Sequence, residues 1–89
     1  MNKKKHYVWQ LAAFLINHNT QMSAEELAEH LNRNKIFTSY GTEFEGGRGT
    51  YKLIAETYHW LENMQLQDEA RKVAEAYVKP DGTYAYDTE

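Results

Sequence analysis

One stretch, Ser23-Ala-Glu-Glu-Leu-Ala-Glu-His-Leu31, constrains this chain more than any other, because a helix start signal and a buried stripe coincide in it. Ser23 with Glu26 three residues on makes a capping box, in which each side chain accepts a backbone N–H at the helix start. Leu27, Ala28 and Leu31 follow at helical spacing, with Glu25, Glu29 and His30 off the stripe. A helix this short is unstable alone and must pack. The sequence therefore predicts a small helical domain in which this helix lies between longer ones.

The helix before it is predicted over 5–17, where Val8, Leu11, Ala12, Leu15 and Ile16 form one apolar stripe and Trp9 and Phe14 widen it. Met22, just ahead of the Ser23 cap, is placed to staple against Leu27. A third helix is predicted over 50–63, capped by Thr50, with Ile54, Tyr58 and Leu61 on its main stripe. Asp68 is the expected cap of a fourth, carrying Ala70, Val73, Ala74 and Tyr77. Lys79-Pro80-Asp81-Gly82 has the composition of a turn, and Thr83-Tyr84-Ala85-Tyr86 alternates as a short closing strand. Residues 35–49 hold glycines at 41, 46, 47 and 49, too many for a helix, and read as an ordered loop with a short strand over 35–38.

At 89 residues the chain makes one domain over 1–89, with 1–5 a flexible basic tail and 87–89 a flexible end. Lys3-Lys4-Lys5 ahead of an apolar run imitates a signal peptide, but Gln10 interrupts the run and no small-residue cleavage site follows. The run is also too short to span a bilayer, so no membrane partner is expected. Cysteine is absent, which excludes disulfides and thiolate chemistry and suits a cytoplasmic location. The net charge is −3, unevenly spread: residues 1–55 carry +2 and residues 56–89 carry −5. A phosphate-bearing partner would meet the first part.

No assembled catalytic group is visible. Ser23 is a cap with no base placed to activate it, and the carboxylates Glu43 and Glu45 share a face only as neighbours in a charged loop. His6, His18, His30 and His59 lack metal-ligand spacing, so neither metal nor cofactor is expected, and no enzymatic activity. Glu45-Gly46-Gly47-Arg48-Gly49-Thr50 is the stretch whose composition speaks of backbone shape. Glycines ahead of a helix, with Gly47 or Gly49 at φ > 0, let N–H groups converge on an anion that Arg48 completes. The same glycines equally make a sharp turn with Arg48 paired to a glutamate. Among the aromatics, Tyr40 and Phe44 in the loop are candidate anchors for a protein partner or a second copy, or else pack onto their own domain.

Helices in the order long, short, medium, followed by a glycine turn and a strand, resemble a winged helix-turn-helix DNA-binding domain of the small bacterial type. The resemblance covers about residues 6–86 and rests on the capped 23–31 helix, the 50–61 helix in the recognition position and the Pro80-Asp81-Gly82 turn with 83–86 as a reduced wing. It implies a mainly α, winged-helix-like domain of three to four helices with a short C-terminal β strand or hairpin. It also implies DNA as partner and a role in transcription regulation, with Thr50, Tyr51 and Lys52 approaching the major groove and Arg33, Lys35 and Arg48 flanking. The chain departs from that pattern in its fifteen-residue connection over 35–49, where a tight turn of about three or four residues is usual. Glu56 and Glu62 near the outer face of the third helix, and the extra fourth helix, depart from it too.

Overall fold

The computed structural model describes residues 3–38, 40–44, 48–79 and 82–85. Their architecture is mainly helical: α1 (Lys3–Asn17), β1 (Met22–Ser23), α2 (Ala24–Arg33), α3 (Arg48–Asn63), α4 (Gln67–Ala76) and β2 (Tyr77–Val78). The α2 start is the one its sequence encodes. The Glu26 N–H donates to Ser23 Oγ at 3.2 Å and the Ser23 N–H donates to Glu26 Oε1 at 3.1 Å. Met22 and Leu27 are both buried in the core.

Three of the helices end in one and the same way. Beyond α1, α2 and α3, a residue with positive φ (Asn19, Lys35 and Gln65) turns the chain. The residue after it donates back to a leucine carbonyl: Thr20 to Leu15 at 2.9 Å, Ile36 to Leu31 at 2.9 Å and Leu66 to Leu61 at 3.0 Å. These are Schellman caps, which satisfy carbonyls that the helix leaves open. Lys35 is thus a helix cap, and the strand expected over 35–38 is absent from 36–38.

α4 packs against α1 and α3, and α2 packs against α3. Val8, Leu27, Leu31, Ile54, Leu61, Val73 and Tyr77 are fully buried where they meet. Tyr77 leaves the stripe of α4 to enter β2, and its hydroxyl donates to the Val8 carbonyl at 2.7 Å, tying the strand to α1. Burial pushes that phenol well above its ordinary pKa. β1 and β2 pair in parallel, Met22 with Tyr77 and Ser23 with Val78. Val78 makes an antiparallel bridge to Tyr84, so the closing strand exists as a single bridge, and the expected Tyr86 lies outside the described residues.

Several boundaries differ from expectation. α1 begins at Lys3, which makes Lys3, Lys4 and Lys5 helical, and Phe14 is 55% exposed instead of widening the buried stripe. Thr50 is fully buried inside α3 and does not cap it, because the helix begins two residues earlier at Arg48. Asp68 sits in the first turn of α4, whose N-cap is Leu66 without a side-chain bond. Positive φ falls at Gly41 and Gly82, not at Gly49, while Gly46 and Gly47 lie outside the described residues.

Candidate nucleic-acid interface

The segment between α2 and α3 is held down by two devices that side-chain chemistry explains. Asn32, on the last turn of α2, grips the Phe44 backbone at both ends: its Nδ2 donates to the Phe44 carbonyl at 2.8 Å and its Oδ1 accepts from the Phe44 N–H at 2.7 Å. The amide side chain stands in for a strand neighbour, and Phe44 drops into the core at 7% exposure. The second device is a closed turn over 38–42. Thr38 N–H donates to the Thr42 carbonyl at 2.8 Å, Gly41 N–H to the Thr38 carbonyl at 2.9 Å, and the two threonine hydroxyls meet at 2.7 Å. Gly41 at φ +78° supplies the left-handed corner that this turn needs.

Together they set Tyr40 at the crest of the turn with 93% of its surface exposed. Below it lies a groove of about 390 Å³ between the start of α1, residues 38–44 and the start of α3. Phe44 and Leu53 line its apolar part, and Lys4, Lys52 and Glu56 line its charged part. Gly49, in the first turn of α3, also borders it. Neither α1 nor α3 has an acidic residue in its first turn, whereas α2 carries Glu25 and Glu26 there and α4 carries Asp68 and Glu69. The first turns of two helices, neither carrying an acidic residue among the described residues, thus border one groove that also holds two lysines.

Of the residues expected to face DNA, Lys52 lines this groove and Thr50 is withdrawn from any surface by its burial. Tyr51 is half-buried, with the Lys79 ammonium 5.9 Å from its ring centre. Arg33 ends α2 and Lys35 caps it, both exposed, and neither lines the groove. Arg48 is the first residue of α3, and the rest of the glycine loop that would frame an anion with it, Glu45 to Gly47, lies outside the described residues. The two proposed protein anchors separate: Tyr40 is exposed, and Phe44 belongs to the core. Sequence reasoning missed Lys4, assigned to the tail, and Asn32, whose partner lies twelve residues away.

A second cavity of about 390 Å³ lies between α3, α4 and Tyr84, lined by Glu62, Arg71 and Glu75 among others. It adds no convergent chemistry, and among the described residues no group of three His, Asp or Glu side chains is placed to hold a metal. Elsewhere, His6, Trp9 and Trp60 form an aromatic cluster, with the Trp9 and Trp60 ring centres 5.9 Å apart. The Trp9 indole donates to Glu69 at 2.9 Å and Lys72 lies 3.2 Å from the same carboxylate. Those two contacts, the indole first, hold the Glu69 carboxyl below its ordinary pKa. Among the described residues no helix is long and apolar enough to cross a membrane. No family model, curated protein or solved structure matches the chain.

Proposed function

We propose that this chain is a DNA-binding helix-turn-helix domain of the winged type, without enzymatic activity, that serves transcription regulation and receives the phosphate backbone of duplex DNA at the groove between α1, α3 and the 38–44 segment. The observation that carries this reading is electrostatic. Two helix N-termini free of first-turn acids open on one groove with Lys4 and Lys52, while the helix starts bearing carboxylates belong to α2 and α4. Phosphate oxygens favour such a site because backbone N–H groups, the helix dipole and ammonium groups act in the same direction. Glu56 borders the groove one turn beyond Lys52 and confines a phosphate chain to the Gly49 end. A net charge of −3 gives little long-range attraction, so affinity depends on these local contacts.

Amide chemical-shift mapping with a random-sequence duplex tests the reading. Shifts at Lys4, Tyr40, Thr42, Gly49 and Lys52 are expected. Shifts confined to Glu62, Arg71 and Glu75 would place any contact on the other cavity and refute it.

A further inference from the structure

Among the described residues the same pair of backbone bonds occurs twice. In 79–83, as in 38–42, the first residue donates its N–H to the carbonyl of the fifth, at 2.8 Å, and the glycine in fourth place donates to the carbonyl of the first, at 2.9 Å. Gly82 has φ +91° where Gly41 has +78°. The duplication separates what the turn requires from what it does not. Glycine in fourth place is required by the backbone in both. The turn around Tyr40 is closed by backbone bonds, by the two threonine hydroxyls and by Gly41, so nothing in it calls for an aromatic ring at that position.

Tyr40 is also unlike the other exposed large apolar residues among the described residues. Phe14, Phe37, Met64, Leu66 and Tyr84 lie between 37% and 55% exposed, each covering part of itself against the domain, whereas Tyr40 covers almost nothing at 93%. A large ring held in water on a turn closed by hydrogen bonds is pre-organised for a ligand, because little backbone freedom remains to be lost on contact. The groove beneath it carries Lys4 and Lys52, with Glu56 one turn beyond Lys52, and the two ammonium groups put anionic ligand chemistry within reach.

We infer that Tyr40 is a second DNA-contacting element beside α3, packing its ring against deoxyribose and base edges of a duplex whose phosphates lie along Lys4 and Lys52. This rests on the DNA-binding reading, and the two fail separately. The ring is apolar on its faces and polar at its hydroxyl, which suits a surface where sugar and base edges alternate with water. Because the contact is apolar, it contributes affinity without releasing counterions.

The test measures anisotropy of a labelled random-sequence duplex, with wild type, Tyr40→Ala, Tyr40→Phe and Lys52→Ala, across a range of salt concentrations. Tyr40→Ala is expected to weaken binding roughly 5- to 30-fold, the effect of losing about half of an aromatic burial. Its dependence of log K on log salt stays that of wild type. Tyr40→Phe is expected to bind as wild type, and Lys52→Ala to lower the salt slope by about 0.9. Wild-type affinity in Tyr40→Ala alongside a reduced slope in Lys52→Ala overturns the role of Tyr40 and leaves DNA binding standing. Equal losses in Tyr40→Ala and Tyr40→Phe overturn it as well, since a hydroxyl-to-phosphate bond needs no ring. Unchanged DNA binding in Tyr40→Ala with loss of self-association in sedimentation assigns the residue to a protein contact and overturns it too. Absence of duplex binding by the wild type removes the DNA reading and this inference with it.

Discussion

Asn32→Ala removes both bonds that dock the 40–44 segment onto α2 and leaves every apolar side chain in place. The bonds at 2.7 and 2.8 Å join one side-chain amide to the N–H and carbonyl of a single residue, Phe44. A typical intramolecular hydrogen bond contributes about 0.5 to 1.5 kcal/mol net, and an unpaired buried backbone group costs more than a bond that water can replace. The pair is partly buried, so water recovers some of the loss. A destabilisation of about 1 to 3 kcal/mol follows. In urea, at a slope of roughly 1 kcal/mol/M for a small domain, the midpoint falls by about 1 to 3 M with the slope unchanged. Asn32→Asp keeps the acceptor for the Phe44 N–H, loses the donor to its carbonyl and falls between the two. A midpoint in Asn32→Ala within about 0.5 M of wild type, or about 0.5 kcal/mol at that slope, would refute the reasoning, since ordinary surface substitutions reach only that far.

Gln65→Gly is expected to stabilise the protein by about 0.5 to 1 kcal/mol, because glycine removes the left-handed strain at an exposed cap; a lower urea midpoint would contradict the cap. Trp9→Phe is expected to flatten the acid side of the stability profile. The Glu69 carboxyl, held below its ordinary pKa by the indole, contributes stability that is present above the unfolded-state value and lost as pH falls through the folded one. Denaturation between about pH 5 and pH 2 would show a smaller loss in the variant, and an equal loss would show that the Trp9 bond does not matter.

What the sequence disclosed and what it withheld follow from the range of the interactions. The start of α2 was legible because Ser23 and Glu26 are three residues apart and bond to each other's backbone. The turn at 79–82 was legible through its glycine, and Gly82 does take positive φ. The ends of α1 at Asn17 and of α3 at Asn63 were legible as well, but the left-handed residues that cap them were not, since those positions hold asparagine, lysine and glutamine where glycine is the usual signal. The pairing of β1 with β2 joins two residues near 22 to two near 77, too few for any alternation to register. Phe44 in a glycine-containing loop looks like a surface anchor until the Asn32 clamp is seen. The groove draws on Lys4, Tyr40 and Lys52 from three separate parts of the chain. Spacing within one element reports none of that, and charge counted along the chain reported only that its first part is the more basic.

The most direct measurement of DNA binding at the groove is a titration of labelled random duplex at about 50 and about 200 mM salt. If Lys4 and Lys52 neutralise two phosphates, log K falls with log salt at a slope of about −1.8, and Lys52→Ala halves it to about −0.9. Failure of the wild type to bind duplex at about 50 mM salt, where phosphate contacts are screened least, would contradict the assignment.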